Sequence, residues 1–249
     1  FGTHVTPRLA ARWQRSDERL VVRGSIGGGY RAPSFKELLL FFENPGAGYV
    51  VEGNPDLSPE TSYSVQAGTE WRATSWLYLA GDVFANRLRD MIFAVARPDD
   101  GTGTLQFTYD NIGRARSVGF ETYAIATRGR AALELGYALT RTRDLDAERP
   151  LDGIPAHRFT ATARWRDAKD RFDAFVSGVF TGHRPYFLDD DPQRATLTDR
   201  RFELRARVGK RFRSGLGGFI GIDNALDAGD AELDRIPPRT VYAGVEAHL

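Results

Sequence analysis

Few residues of this chain have the types and spacing that chemical catalysis requires. It contains no Cys, which excludes thiol catalysis, Cys-based zinc sites and disulfides. Neither a Gly-x-Ser-x-Gly turn nor a His-Glu-x-x-His pair occurs. The adjacent carboxylates of Asp189, Asp190 and Asp191 lack the spacing of a calcium loop, which favours a solvated acidic segment. We therefore expect no enzyme activity, no metal site and no cofactor.

Two groups of side chains are better suited to binding than to catalysis. Arginine and tyrosine close together in sequence favour an anionic ligand, and aromatic rings in a long connection can stack on a flat one. Within the aromatic connection we favour a structural role for the run Leu38–Phe42, which we expect to pack the connection onto the neighbouring ends of the strands. The candidates for ligand contact are Phe35, Tyr49, His183, Arg184 and Tyr186.

The elements that must position these residues are strands. Residues 201–212 alternate strictly, with Phe202, Leu204, Ala206 and Val208 on one face and Arg201, Glu203, Arg205 and Arg207 on the other. We find eleven such segments, centred near residues 10, 23, 66, 83, 116, 136, 162, 176, 206, 220 and 245. The sequence predicts an all-β protein with one apolar and one polar face.

The connections between these segments are alternately short and long. The long ones cover residues 31–61, 98–104, 143–156, 183–199 and 227–238. All long loops therefore leave from one rim, which is typical of an outer-membrane barrel with short periplasmic turns and long extracellular loops. The predicted fold is a transmembrane antiparallel β-barrel with about eleven strands in this chain.

The aromatic residues support the same interpretation. All four tryptophans, Trp13, Trp71, Trp76 and Trp165, lie beside short turns, as in the interfacial girdle of a membrane barrel. Faces that carry several Arg and Glu residues must then line a polar interior. The formal net charge of +1 argues against a nucleic-acid partner. Outer-membrane lipid is the expected surrounding.

Six motifs, in this order along the chain, resemble the TonB-dependent outer-membrane receptors. They are Thr6-Pro7-Arg8-Leu9, Tyr30-Arg31-Ala32-Pro33-Ser34-Phe35, Gly53-Asn54-Pro55-Asp56-Leu57, Asn111-Ile112-Gly113-Arg114-Ala115, Asp223-Asn224-Ala225-Leu226-Asp227 and Pro238-Arg239-Thr240-Val241-Tyr242. The resemblance extends over essentially the whole chain. It implies that residues 1–249 form the C-terminal half of a 22-stranded barrel in the outer membrane of a Gram-negative-type bacterium.

The resemblance also implies a function and partners. Such a receptor imports a scarce metal chelate with energy supplied through TonB, and its barrel holds an N-terminal plug. The plug, the TonB-binding segment and the first barrel strands have no counterpart in this sequence. A ferric siderophore is the expected ligand, because residues 32–52 contain no histidine of the kind that ligates haem iron in related receptors. Side chains expected to face the lumen and plug are Arg114, Glu121, Arg164, Arg201, Glu203, Arg205 and Arg207.

Two alternatives remain open from the sequence. The ligand could be cobalamin or another chelate, or the barrel could be a passive pore or a structural surface protein. In each case eleven strands leave two sheet edges without partners, near residues 5–14 and 241–249. An open edge is not viable in lipid, so we expect both edges to pair with polypeptide outside this chain.

Overall fold

The computed structural model describes residues 3–44, 49–96, 105–111, 113–167, 171–187, 195–212, 215–229 and 236–247. In chain order these residues form β1 (Arg8–Gln14), β2 (Leu20–Arg31), α1 (Phe35–Leu39), β3 (Phe41–Asn44), β4 (Tyr49–Glu52), β5 (Glu60–Arg72), β6 (Leu77–Arg89), β7 (Ile92–Ala96), β8 (Leu105–Asn111), β9 (Ala115–Arg128), β10 (Ala131–Asp144), β11 (His157–Arg166), β12 (Phe172–Thr181), β13 (Pro185–Tyr186), β14 (Thr196–Leu197), β15 (Arg201–Arg211), β16 (Leu216–Asp223) and β17 (Thr240–Ala247).

One large antiparallel sheet contains 11 of these strands in the order β1-β2-β5-β6-β9-β10-β11-β12-β15-β16-β17. Each strand pairs with the one that precedes it in this order, so the sheet is a continuous meander. The eleven segments predicted from the alternation are confirmed. Several strands are 12–14 residues long, about twice the usual length of a strand in a globular protein.

The alternation of the sequence divides the large sheet into two faces. The face that we call the apolar face carries large hydrophobic side chains that are 40–82% exposed. They include Leu9, Trp13, Val22, Ile26, Tyr63, Val65, Trp71, Val83, Val118, Leu133, Phe159, Trp165, Val176, Phe202, Val208, Ile220, Val241 and Val245. An apolar surface of this extent requires apolar surroundings. The opposite face, called the polar face, carries most of the charged residues of the same strands.

The connections at one rim are themselves folded. The strands β3, β4, β8 and β7 form a second sheet in that order, which we call the apex sheet. It joins the segment between β2 and β5 to the segment between β6 and β9, through the parallel pairing of β4 with β8. The second of these connections is therefore longer than predicted: it begins after Arg89 and ends before Ala115, because β7 and β8 belong to the apex sheet.

Both edges of the large sheet are open. β1 pairs only with β2, and β17 pairs only with β16, among the described residues. The sheet consequently does not close on itself, as expected from the strand count. No helix in the described ranges has the length and apolar character needed to cross a bilayer.

Candidate functional site

The apex sheet gives the two aromatic candidates different environments. The ring of Tyr49 lies 6.0 Å from that of Phe42 and 6.3 Å from that of Phe107, measured between ring centroids. These contacts join β3, β4 and β8, so the Tyr49 ring stabilises the apex sheet itself. Phe35, at the first position of α1, is 84% exposed and remains available for stacking.

The run Leu38–Phe42 is packed only in part: Leu38 and Leu40 are half-buried and the Phe42 ring contacts Tyr49. Its residues end α1 and begin β3, and the side chains of Leu39 and Phe41 are 68% and 66% exposed. Together with Phe35, they present an apolar surface at the long-loop rim. This surface is the part of the apex region best suited to contact a ligand.

An ion-pair cluster attaches the apex sheet to the large sheet. Arg31, at the end of β2, donates to both carboxylate oxygens of Glu60 at 2.7 and 2.5 Å and to those of Glu37 at 3.1 Å. Glu60 also accepts a hydrogen bond from the Ile92 N–H at 2.8 Å, which fixes the start of β7. One arginine thus holds α1, β5 and the beginning of the second loop together.

Glu37 has a further role in the first turn of α1. Its carboxylate accepts a bond from the Ser34 N–H at 2.6 Å, while the Ser34 hydroxyl accepts one from the Glu37 N–H at 3.3 Å. This reciprocal pair is a capping box. Partial burial raises the pKa of Glu37, but the hydrogen bonds from Ser34 and Arg31 outweigh burial and hold the pKa below its usual range. Glu37 is therefore ionised at neutral pH.

Two asparagines from the family-like motifs join the two loop segments. The Asn54 amide donates to the Tyr109 carbonyl at 2.9 Å. The Asn111 amide donates to the carbonyls of Ser58 and Asp90 at 2.8 and 2.7 Å, and its oxygen accepts the Ser58 N–H at 2.6 Å. These motif residues consequently have a structural role: they fix one loop against the other.

A second pair of loops meets beside the first. The Gly153 N–H donates to the Pro185 carbonyl at 2.8 Å, and Gly153 faces the ring of Tyr186 so closely that a Cβ would lie 3.2 Å from the tyrosine hydroxyl. The guanidinium of Arg149 lies 4.1 Å from the centroid of the Phe187 ring. The ring of Tyr186 is thus engaged in contact between the two loops.

His183 and Arg184 are held by Thr198 and Arg200, which lie between β14 and β15. The His183 Nδ1 lies 2.6 Å from the Thr198 carbonyl, so this nitrogen carries the proton and donates. The other ring nitrogen, Nε2, accepts from Arg200 at 3.0 Å. The Arg184 N–H donates to the Thr198 hydroxyl at 3.0 Å. Because both ring nitrogens of His183 are engaged, the imidazole is not free to coordinate a metal.

The five candidates therefore lie in two clusters. Phe35 and Tyr49 belong to the apex region, whereas His183, Arg184 and Tyr186 belong to the loop pair around β13. Both clusters lie at the long-loop rim, and the Arg114 guanidinium links the intervening loops by donating two hydrogen bonds to Asp146 Oδ1, at 2.9 and 2.7 Å. Hydrogen bonds from Arg114 lower the pKa of Asp146. Residues 189–191, the acidic run, lie outside the described residues.

The polar face is a wall of ion pairs, most of which cross strands. Arg23 of β2 contacts Glu70 and donates twice to Asp82 at 3.0 Å. Arg164 of β11 lies 3.1 Å from Glu134 of the neighbouring β10, Arg207 of β15 lies 2.6 Å from Glu246 of β17, and Arg201 lies 2.9 Å from Glu203 within β15. Five of the predicted lumen residues are thus on β11 and β15 of this wall: Arg164, Arg201, Glu203, Arg205 and Arg207.

The two remaining lumen candidates differ from one another. Glu121 is on the polar face, directly opposite Asp82 in the register. Arg114 is not part of this wall: it precedes β9 and is held in the loops by Asp146. The reason is that Arg114 and Glu121 are seven residues apart, an odd number, so the alternation of a strand cannot place both on the same face, and β9 begins only at Ala115. Sequence reasoning missed Arg23 and Asp82, which lie on strands with weaker alternation.

The four tryptophans lie at the end of the sheet that carries the short turns. Trp13, Trp71 and Trp165 are near the last residues of β1, β5 and β11, and Trp76 immediately precedes β6. Their side chains are 57%, 48%, 41% and 51% exposed, respectively. No group of three or more side chains able to hold a metal ion is found within the described parts of the chain. The arrangement is suited to binding at one rim, with aromatic residues at the other.

Comparison with known proteins agrees with this architecture. The β-barrel model of the TonB dependent receptor-like family matches residues 1–245. An iron-regulated outer membrane virulence protein of Vibrio cholerae is 30% identical over 193 residues, which are 73% of this chain and 29% of that protein. The ferric enterobactin receptor PirA of Pseudomonas aeruginosa is 25% identical over 226 residues, 84% of this chain and 29% of the receptor. The chain spans less than a third of each relative.

Solved structures show the same fold. The siderophore receptor PirA from Acinetobacter baumannii superposes with a TM-score of 0.77 at 18% identity, over 98% of this chain and 41% of the receptor. The copper transporter OprC superposes with a TM-score of 0.76 at 15% identity, over 97% of this chain and 39% of the transporter. The open sheet therefore corresponds to one part of a larger barrel. This chain belongs to the TonB-dependent receptor family, within its β-barrel domain.

Proposed function

We propose that this chain is the C-terminal half of an outer-membrane receptor barrel that takes up a ferric siderophore with energy supplied through TonB. The observation that carries the proposal is the combination of folded loops at one rim with a charged polar face along the strands. In this assignment the loops contact the ligand, and the polar face lines the lumen and contacts the plug. The open edges β1 and β17 pair with the other barrel strands.

The exposed residues of the apex region and the proteins related to this chain both favour an iron chelate as the ligand. The exposed surface formed by Phe35, Leu39 and Phe41 suits the aromatic or apolar rim of a chelate. The relatives described above include an iron-regulated protein and a ferric enterobactin receptor. Membrane insertion is supported by the apolar face and by the tryptophans at its short-turn end.

The test is equilibrium binding to the complete receptor that contains this chain, purified in detergent. We would titrate it with ferric enterobactin, ferrichrome, cyanocobalamin and haemin. Saturable binding of a ferric siderophore is expected. Binding of cyanocobalamin alone would overturn the siderophore assignment, and ion conductance without any ligand binding would establish a passive pore instead.

A matched pair of substitutions tests the location of the site. Phe35→Ala removes an aromatic contact worth about 0.5–1.5 kcal/mol and should weaken siderophore binding about two- to tenfold. Phe212→Ala removes an exposed phenylalanine at the short-turn rim and should leave the affinity unchanged. Equal effects of both substitutions would contradict a site on the apex region. Uptake by iron-limited cells that lack TonB should be abolished.

A further inference from the structure

A cluster of arginines lies on the apolar face at the end where the long loops leave. Arg87 of β6 is the direct cross-strand partner of Arg116 of β9, which is in turn the partner of Arg143 of β10. Arg89 and Arg141 lie beside these three on the same face. All five side chains are exposed, and we refer to them as the arginine row.

The row has a large excess of positive charge. Glu148 lies 3.9 Å from Arg143, and none of the described carboxylates is within ion-pair distance of Arg87, Arg89, Arg116 or Arg141. Like charges directly opposite each other in a sheet are destabilising. On the polar face, by contrast, several arginines have a carboxylate from another strand. The arginine row therefore needs an anion that this part of the chain does not supply.

The position of the row along the strands marks the edge of the apolar band. Below it on the same face lie Val83 and Val118, which are 56% and 42% exposed. On the adjacent strand β5, Tyr63 is the register partner of Arg87, and Trp71 is near the short-turn end. The distance from Tyr63 to Trp71 is about 26 Å along the strand, close to the roughly 25 Å height of the lipid-facing band of such barrels.

The strands that complete the barrel cannot cover this surface. They attach at β1 and β17, whereas β6, β9 and β10 lie in the middle of the sheet. At least three strands separate the row from either edge. The row consequently faces whatever surrounds the barrel at the height where an apolar phase meets water.

The geometry points to the phosphate-bearing headgroup of a membrane lipid as the occupant of the arginine row. This inference rests on the membrane location in the proposed function. The guanidinium fork matches a phosphate in bidentate geometry, and arginines on three adjacent strands spread over about 10 Å, enough for a headgroup with two phosphates. The lipid would fix the outer wall of the barrel immediately below the apex sheet.

The experiment measures lipid binding to the complete receptor by native mass spectrometry in detergent. The probe is bisphosphorylated lipid A, with phosphatidylcholine as the zwitterionic comparison and inorganic phosphate as a competitor. The double variant Arg87→Gln/Arg116→Gln should bind lipid A about ten- to thirtyfold more weakly, roughly fivefold for each charge removed. The matched control Arg128→Gln/Arg130→Gln removes two exposed arginines from the short-turn rim and should bind it unchanged.

A conservative variant and a second readout separate the outcomes. Arg87→Lys/Arg116→Lys keeps the charges and should retain most of the binding. Equal losses in the two glutamine variants, or preference for phosphatidylcholine, would overturn the inference. Displacement of lipid A by equimolar inorganic phosphate would also overturn it. Siderophore binding measured on the same samples tests the proposed function independently, since the arginine row lies outside the loops that contact the ligand.

Discussion

Replacing Asn111 by Ala should open the apex sheet without unfolding the strands below it. The substitution removes three hydrogen bonds, two to Ser58 and one to Asp90. A neutral intramolecular hydrogen bond contributes about 1 kcal/mol, so the gross loss is about 3 kcal/mol. Because Ser58 and Asp90 are exposed and can bind water instead, we expect a net cost of about 1–2 kcal/mol, or about five- to thirtyfold more frequent local opening.

Hydrogen–deuterium exchange measured by mass spectrometry on the complete receptor would test this value. Peptides that cover β4 and β8 should exchange faster by that factor, whereas those of β9 and β10 should not change. The matched control is Asn224→Ala, since Asn224 also makes three amide hydrogen bonds, to Ala228 and Pro237. Its effect should be confined to the loop after β16. Unchanged exchange in β4 and β8 of the Asn111 variant would refute the reasoning.

Three further perturbations have directions set by the structure. Gly53→Ala should expose the apex sheet to limited proteolysis, because a Cβ would lie 2.6 Å from the backbone of residue 38; unchanged cleavage would contradict this. Asp146 has a lowered pKa, so its pairing with Arg114 stabilises the loop above its unfolded pKa of about 3.9 and is lost as the pH falls through the folded value. Exchange of residues 145–156, corrected for the intrinsic rate, should rise at low pH, and Asp146→Asn should remove this rise. Gly153→Ala should loosen the contact with Tyr186, because φ is 71° at Gly153 and the ring leaves little space; faster exchange of β13 and β14 would confirm it, and no change would refute it.

The large sheet could be predicted from the sequence because its faces require opposite chemistry. On β15, Phe202 and Leu204 alternate with Arg201 and Glu203, and a register shift of one residue would exchange the two faces. The same reasoning predicted the position of the tryptophans, since each lies near the end of a strand, beside a short turn. The local pattern was sufficient wherever a strand paired with the next alternating segment.

The apex sheet could not be predicted in this way. Its strands β3 and β4 have 4 residues each, too few for a periodic signal. The pairing of Tyr49 with Leu105 joins residues far apart in the chain. Because parallel strands are not connected by a tight turn, the sequence contains no turn motif that would predict this pairing. Asn54 and Asn111 were recognisable as motif residues, but their amide contacts depend on that pairing. For the same reason, the engagement of Tyr49 and Tyr186 in loop packing was not visible from their residue types.

The parallel pairing of β4 with β8 also determines the order in which the protein can mature. Neighbouring strands of the large sheet are successive in the meander, and most are joined by connections that close at modest entropic cost. The β4–β8 contact instead requires β5 and β6 to be in place, because they hold the two segments side by side. A contact between residues far apart in the chain carries a larger loop-closure cost, which falls once the intervening strands have formed. We therefore expect a folding stage in which the large sheet has formed while β4 and β8 are still unpaired, so that the apex sheet is completed last.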